Sequence, residues 1–234
     1  MSFRAAIRAT LCAALLLTES CGGGSNKPPR ATLGPKLDSE NAIRFEDLPV
    51  TRLERDRVPI PNAANPSLGA ANAKVVVQMW SDFECPFCAD VHPVLTEMLR
   101  AYAGKVRLVW HDYPLPFHAH SRLAANAGRA AYAQGGAEAF WKFHDAVYGA
   151  STPQLDAEGL ERFALEAGLD PTRFREALST QRHDAEVKRD LDSGNALGVE
   201  GTPAFLVNDY FFIGAVPFEI MRVIVDRALT DRGA

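Results

Sequence analysis

Cys85 and Cys88 stand three positions apart in residues 80–88, a segment in which a strand-like run gives way to a helical pattern. Pro86 fits the first turn of a helix, where its missing N–H costs no hydrogen bond. Cys85 would then lie at the helix N-terminus, where unpaired backbone N–H groups and the helix dipole favour a thiolate over a thiol. Such a position lowers a cysteine pKa from about 8.5 into roughly the range 3.5–7.5. The chemistry expected of Cys85 is therefore nucleophilic attack on sulfur at neutral pH.

Cys88 lies one helical turn further along and is expected to be less exposed than Cys85. From that position its thiol can attack a mixed disulfide formed at Cys85, which is the resolving role of the second cysteine in a redox pair. We therefore interpret the two residues as a redox-active dithiol.

Three other interpretations of this pair stay open on the sequence alone. A structural disulfide here would constrain the unfolded chain little, because the loop it closes is short. A zinc site needs about four ligands, whereas Cys12 and Cys21 stand in the leader region and the six histidines show no ligand spacing. Two apolar cysteines in a core helix are the third alternative. The strand-to-helix context of the motif favours the redox interpretation, and neither a metal nor an organic cofactor is expected.

The elements around the pair predict how it is positioned. Residues 74–79 form a short β-branched run after the turn-forming residues 65–69, which is typical of a strand buried on both faces. After Cys85, apolar residues recur at helical spacing until Gly104, and residues 106–112 predict a second strand. A connection of this length predicts a βαβ unit with a parallel strand pair and a right-handed crossover.

The remainder of the chain predicts a helical block followed by a hairpin and a final helix. Helical periodicity marks residues 118–134, 137–148 and 156–167, a helix opened by Asp170 and Pro171, and residues 183–197. The aromatic residues between 140 and 148 are expected to form the core of this block. Residues 204–207 and 210–214 flank an Asn-Asp turn, which predicts a hairpin, and residues 217–229 predict an amphipathic helix.

The N-terminus resembles an export signal over residues 1–21. Two arginines give it a positive start, residues 9–17 form a short apolar core, and Cys21 marks a processing point. The apolar run is shorter than a membrane span requires. Cys21 with the Gly-rich stretch after it is similar to a bacterial lipoprotein start, in which the cysteine is lipidated, although residues 18 and 19 depart from that pattern. Lipidation of Cys21 is the expectation, and conventional cleavage nearby is the alternative.

The domain organisation follows from composition. Residues 22–65 are rich in Gly, Pro, Ser, Asn and charge without sustained periodicity, which predicts a flexible tether. Apolar residues within 42–58 indicate that this part packs on the folded domain as an extended arm. The folded domain is expected over residues 66–234, with a helical insert at about residues 117–198.

Composition also limits the classes of function that this chain is expected to have. The chain has 234 residues, 47% of them hydrophobic, and a net charge of −4, so it can bury one good core with an inserted subdomain. No cluster of Lys and Arg stands out, so nucleic acid is not expected as a partner. With the leader removed and Cys21 lipidated, only Cys85 and Cys88 remain as free thiols, which suits an oxidising compartment.

Taken together, these motifs resemble the DsbA-like branch of the thioredoxin superfamily, the periplasmic and cell-surface thiol-disulfide oxidoreductases. The features that carry the resemblance are residues 83–88, Pro93 inside the first helix, the aromatic block at 140–144 and the segment Gly201-Thr202-Pro203. The resemblance implies an α/β thioredoxin fold, βαβ followed by ββα, with an inserted helical subdomain. It further implies a cis Thr202–Pro203 bond facing Cys85, so that Pro86, Phe87, Thr202 and Pro203 tune the active site.

Two departures from the family pattern bear on redox strength. The strongly oxidising members carry a histidine where this chain has Phe87, and several relatives carry an acid where it has Met79. Asp82 and Glu84 are close in sequence, but adjacent negative charge would raise the pKa of Cys85. A moderate oxidant is therefore predicted, with the pKa of Cys85 in the upper part of the activated range. His92 is a further candidate for tuning the thiolate, whereas solvated or capping roles are favoured for His111, His118 and His120.

The resulting prediction is an exported thiol-disulfide oxidoreductase, lipid-anchored on the periplasmic or cell-surface side of a bacterial membrane. It is expected to act as a monomer that introduces disulfides into unfolded or reduced exported proteins, with a membrane redox partner that reoxidises the Cys85–Cys88 pair. A disulfide reductase or isomerase is one alternative. A non-catalytic peptide-binding lipoprotein on the same fold is the other.

Overall fold

A computed structural model describes residues 43–231, and its sheet and helices follow the predicted order. The strands are β1 (Thr51–Arg52), β2 (Ser67–Gly69), β3 (Val75–Ser81), β4 (Val106–Asp112), β5 (Ala204–Val207) and β6 (Tyr210–Ile213). The α-helices are α1 (Pro86–Ala101), α2 (Ser121–Gly149), α3 (Ala157–Glu166), α4 (Pro171–Ser179), α5 (Asp184–Leu197) and α6 (Phe218–Asp231). This is the predicted βαβ and ββα arrangement of a thioredoxin fold, with α2 to α5 inserted between its halves.

The six strands form one mixed sheet in the order β1-β6-β5-β3-β4-β2. β3 and β4 are parallel, with Val75 opposite Val106 and Ser81 opposite Asp112, which confirms the predicted βαβ unit. β5 pairs antiparallel with β3, and β6 closes the predicted hairpin with β5. Because β3 is central, nearly all of its side chains are buried, as its β-branched run predicted.

Alternation along β3 divides its side chains between two apolar clusters. Val75, Val77 and Met79 join the larger cluster, which includes residues of α1, the helical insert and α6. Trp80 points to the other side and packs with residues such as Tyr113 and Leu197. Successive side chains of a strand face opposite sides of the sheet, so a single strand holds both layers in register.

The helical insert begins with one long element that contains a sharp kink. Gly135 and Gly136 leave helical geometry, and Gly136 has a φ of 65° that favours glycine. The two helices predicted on either side of this point are therefore the two halves of α2. Phe140 and Phe143 are fully buried in the second half, which confirms that the aromatic block is core.

A buried charge network ties the insert to the sheet. The Arg129 guanidinium on α2 donates to the carboxylates of Asp112 on β4 and Asp190 on α5. Asp190 also accepts from the backbone N–H of Asp112 at 3.0 Å and from the Asn65 side chain at 3.1 Å. His111 lies in the same network, 3.3 Å from Asp190. The desolvation cost of burying these five polar side chains is thereby offset, because each is hydrogen-bonded within the network.

The segment before residue 66 is packed on the domain in the part that the structure describes. β1 pairs antiparallel with β6, and Leu53 is buried beside it. Phe45 makes an edge contact with the Tyr210 ring at a centroid distance of 4.9 Å. These contacts fit the extended arm expected within residues 42–58. They also show that residues before Pro66 pack against the folded domain. The predicted signal peptide and Cys21 lie outside the described residues.

Candidate active site

Cys85 occupies the N-cap position of α1, and Pro86 is the first helical residue. Its backbone is extended, with φ of −77° and ψ of 120°, and its carbonyl accepts from the N–H of Cys88 at 3.1 Å. No side chain caps this helix end. Pro86 has no N–H and the Cys88 N–H is paired with the Cys85 carbonyl, so Phe87 carries the unpaired N–H of the first turn, next to Cys85.

Thr202 approaches Cys85 from the other side of the site. The Cys85 Sγ lies 3.3 Å from the Thr202 carbonyl oxygen, and the Thr202–Pro203 peptide bond is cis. The Thr202 hydroxyl is buried and has no hydrogen-bond partner among the described residues. Pro86 and Phe87 follow Cys85 in the chain, and Thr202, which precedes Pro203, contacts it in space. Their role in tuning the active site stays a prediction.

The two thiols have opposite pKa shifts. The hydrogen bond from the Cys88 thiol is the largest cause that lowers the pKa of Cys85, which lies at about 6 against a usual 9.0. Burial opposes this shift, while Thr202 and the N–H groups of Cys88 and Phe87 add to it. Burial raises the pKa of Cys88, and the neighbouring Cys85 raises it further. At neutral pH the pair therefore holds one thiolate, on Cys85, and one thiol, on Cys88.

Behind the pair lies a short chain of hydroxyl groups that the sequence did not single out. The Ser81 side chain, at the end of β3, hydrogen-bonds Cys88 and lowers its pKa against the effect of burial. The Ser81 Oγ also lies 3.3 Å from the hydroxyl of Tyr148 on α2, and that hydroxyl donates to the Asp82 carbonyl at 3.1 Å. The insert thus contributes a polar contact to the base of the site.

The acidic residues before Cys85 are directed into a neighbouring loop. The buried Asp82 carboxylate accepts from the Leu115 N–H at 2.9 Å and lies 2.8 Å from the His118 Nδ1. Burial raises the pKa of Asp82. Glu84 accepts from the His120 N–H at 2.7 Å. Both residues hold residues 115–120 against the active-site turn, and His118 and His120 serve as their partners.

Exposure is uneven around the site. Cys85 and Cys88 are 3% and 1% exposed, whereas the Phe87 side chain between them is 60% exposed. Phe117, in the loop held by Asp82, is also largely exposed. A partner that reaches Cys85 would therefore meet aromatic surface first.

Sequence reasoning placed some side chains correctly and missed others. His111 is buried in the charge network of the insert, and His92 hydrogen-bonds Asp145 on α2, so the structure shows no contact between the Cys85 thiol and either histidine. Ser81 and Tyr148 were missed. Ser81 stands two residues before Phe83 in the motif, but no local pattern indicates that a tyrosine 67 positions later will contact it.

The sequence and fold of this chain match those of known proteins. A thioredoxin family model matches residues 62–227, more than half of the chain. The chain therefore belongs to the thioredoxin family, and the predicted fold is confirmed.

Three relatives illustrate the match. The “Probable disulfide bond formation protein D” of Bacillus anthracis is 30% identical over 173 residues, which cover 70% of this chain and 77% of that protein. A thioredoxin-like oxidoreductase from Silicibacter pomeroyi DSS-3 is 31% identical, with a TM-score of 0.65, over 72% of this chain and 94% of that one. These matches agree with the resemblance to DsbA-like thiol-disulfide oxidoreductases.

The Na(+)/H(+) antiporter NhaA 3 of Salinispora tropica is 38% identical over 175 residues, or 74% of this chain. Since the chain spans only 26% of that antiporter's length, the similarity concerns one part of it.

Proposed function

We propose that this protein is an exported thiol-disulfide oxidoreductase that donates its Cys85–Cys88 disulfide to dithiols of other proteins. The observation that carries the proposal is the asymmetry of the pair. One sulfur has a pKa of about 6 at a helix N-terminus, and the other, one turn into the helix, has a pKa raised by burial. A structural disulfide or a chance pair of core cysteines has no need of such an asymmetry.

The oxidising reaction proceeds in two exchanges. A substrate thiolate attacks the Cys85 Sγ, the Cys85–Cys88 bond breaks, and Cys88 leaves and takes up a proton because its pKa is high. A second thiolate of the substrate then attacks the substrate sulfur of the mixed disulfide, and Cys85 leaves as a stable thiolate. The substrate gains a disulfide and loses two electrons, which the reduced pair now holds. A membrane redox partner must remove these electrons to restore the Cys85–Cys88 disulfide.

The low pKa of Cys85 favours this direction over reduction. A stabilised thiolate is a good leaving group in the second exchange and stabilises the reduced form of the pair, which makes the disulfide a stronger oxidant. Phe87 adds no charge or hydrogen-bond donor from its side chain, so the oxidant is expected to be moderate. A reductase or isomerase would instead require the dithiol to be the working form.

The reduction potential of the full chain tests this direction. Equilibration in glutathione buffers followed by thiol trapping should give a value above about −200 mV. A value near or below about −270 mV would replace the oxidase with a reductase. Cys21→Ser is the matched control, because it replaces a cysteine outside the pair and should leave the potential unchanged.

A second assay separates catalysis from peptide binding alone. Oxidation of reduced ribonuclease should be abolished in Cys85→Ser and retained in Cys21→Ser. Unchanged biological function of Cys85→Ser would instead favour a non-catalytic peptide-binding protein on the same fold.

The location of the protein is part of the same proposal. We infer removal of residues 1–20, lipidation of Cys21 and a monomer tethered to the outer side of a bacterial membrane, where it meets unfolded exported proteins. Two observations support this location. Residues 1–21 have the pattern of an export signal, and Cys85 and Cys88 are the cysteines that would remain as free thiols, which suits an oxidising compartment. No helix among the described residues is both long enough and apolar enough to span a bilayer. Release of Cys21→Ser from the membrane fraction, with the unaltered protein retained there, would support the anchor.

A further inference from the structure

Two histidines and an aspartate meet where α1 packs against α2, outside the thiol pair. One ring nitrogen of His92, one of His144 and a carboxylate oxygen of Asp145 all lie within 4.8 Å of one another. The Asp145 Oδ1 stands between the two imidazoles, 3.1 Å from the His92 Nε2 and 2.9 Å from the His144 Nδ1. Among the described residues this is the group of donor atoms with the spacing of a metal site.

The donor set determines which ions would fit. Two imidazole nitrogens and one carboxylate oxygen suit zinc and neighbouring transition metals, whereas calcium and magnesium prefer oxygen ligands throughout. Ligands about 2.0–2.2 Å from an ion lie roughly 3–3.5 Å apart, and two of the contacts here are already close to that separation. Small side-chain rotations would bring the two imidazoles together around one centre.

The surroundings hold one ligand fixed and leave another open. His144 is 2% exposed on its side chain, and its ring packs edge-on against Trp141 and Tyr148 at centroid distances of 4.8 Å. Its Nδ1 is the nitrogen that faces the Asp145 carboxylate. His92 is 23% exposed and Asp145 is 61% exposed on their side chains. The buried His144 ring is held in position by its neighbours, whereas the Asp145 carboxylate is exposed to solvent. An ion could therefore enter from the Asp145 side and bind to His144.

We propose that His92, His144 and Asp145 bind one divalent transition-metal ion of the zinc class, with water in the remaining position. The ion would link α1, which carries the thiol pair, to α2 of the insert. Because the unfolded chain offers no such arrangement, binding should raise the thermal stability of the protein. The sequence alone gives no hint of the site, since His92 and His144 belong to different helices and are far apart in the chain.

Titration of the full chain with Zn²⁺ by calorimetry tests the proposal. The protein is first oxidised and its remaining thiols are alkylated, so that cysteine thiolates take no part. The expected result is one equivalent bound, with an increase in Tm, and no comparable binding of Ca²⁺. Cobalt in place of zinc should give the visible absorption of a tetrahedral N,O site.

Variants of the two less buried ligands, His92 and Asp145, localise the ion. His92→Gln and Asp145→Asn should each weaken Zn²⁺ binding at least about tenfold. Asp145→Asn should unfold close to the Tm of the unaltered protein when metal is absent, because its side chain is 61% exposed. His92→Gln loses ring contacts with His144 and Tyr148 and is therefore assessed by the loss of the metal-dependent rise in Tm. His183→Gln is the matched control and should bind normally. Unchanged affinity in both ligand variants, or no stoichiometric Zn²⁺ binding by the unaltered protein, would overturn the proposal and leave a hydrogen-bonded cluster.

Discussion

The Cys85 sulfur lies 3.3 Å from the carbonyl oxygen of Thr202, although 117 positions separate the two residues in the chain. Strand pairing explains the approach. Trp80 of β3 is opposite Ala204 of β5, and the strands are antiparallel, so the segment that leaves β3 meets the segment that enters β5. The helical insert is accommodated between these two points. The sheet register therefore positions the nucleophile against Thr202 and Pro203.

Replacement of Cys88 should raise the pKa of Cys85. The hydrogen bond from the Cys88 thiol is the largest cause of the low Cys85 pKa, so Cys88→Ala should move that pKa from about 6 towards 9.0. Cys88→Ser keeps a hydroxyl donor and should show a smaller rise. The rate of alkylation as a function of pH gives the pKa of Cys85 in each variant. Equal values for the Ala and Ser variants would mean that the helix N-terminus, and not the neighbouring side chain, sets the pKa.

The stability of the reduced protein should depend on pH in a defined window. The pKa of Cys85 is about 6 in the folded protein and 9.0 is its usual value. Between these values the unfolded chain binds more protons than the folded one, so stability rises with pH. The contribution is complete above about pH 9 and is lost as pH falls through about 6. Urea unfolding of the reduced protein from about pH 6.5 to pH 8.5 should show this rise, and Cys85→Ser should lack it.

Introduction of a histidine at position 87 should make the disulfide more oxidising. Phe87 is exposed, so a smaller polar ring fits without a cavity. A protonated imidazole in the first turn of α1 would stabilise the Cys85 thiolate by charge. Phe87→His should lower the pKa of Cys85 and shift the equilibrium with glutathione by about tenfold, or about 30 mV. Phe87→Leu controls for loss of the aromatic ring, and a shift of the same size in that variant would rule out the electrostatic explanation.

Removal of the Ser81 hydroxyl should slow the resolution of mixed disulfides. The Ser81 hydroxyl lowers the pKa of Cys88 against the effect of burial. Ser81→Ala should therefore leave less Cys88 thiolate and reduce the rate of glutathione release from a Cys85–glutathione adduct by about three- to tenfold. Quenched-flow measurements give that rate directly. Tyr148→Phe removes a hydroxyl that contacts Ser81, and we expect a smaller effect. Release as fast in Ser81→Ala as in the unaltered protein would remove Ser81 from the exchange.

The sequence predicted those features that depend on local pattern. Periodicity, together with Pro and Gly at the ends of the elements, predicted the β3 strand, the Cys85 helix and the β5–β6 hairpin. Their positions in the structure agree with that prediction. Long-range polar contacts have no such pattern. Arg129 meets Asp190, and Ser81 meets Tyr148, only because the insert folds back on the sheet. No local pattern indicates that His92 and His144 lie close together either, because they belong to different helices that meet only in the folded protein.

Alanine at Gly194 should destabilise the protein by overpacking. A Cβ at this position of α5 would lie 2.7 Å from the ring of Tyr113 and 2.8 Å from the ring of Trp80. Neither ring can move freely, since the Tyr113 hydroxyl donates to Asn195 at 2.8 Å and the Trp80 indole donates to Ser193 at 3.0 Å. Such overpacking costs about 1–3 kcal/mol, which exceeds the gain of about 1 kcal/mol from replacing a helical glycine. Urea denaturation of the oxidised form should show a net loss of stability.

Gly149, at the end of α2, is the matched control for Gly194. A Cβ there meets no atom within 4 Å, so Gly149→Ala should be neutral or stabilising by up to about 1 kcal/mol. The contrast separates packing from backbone entropy, because both substitutions remove the same flexibility from the unfolded chain. If Gly194→Ala were as stable as Gly149→Ala, α5 would have to shift away from Trp80 at little cost. The contact between the insert and β3 next to Ser81 would then be looser than the structure indicates.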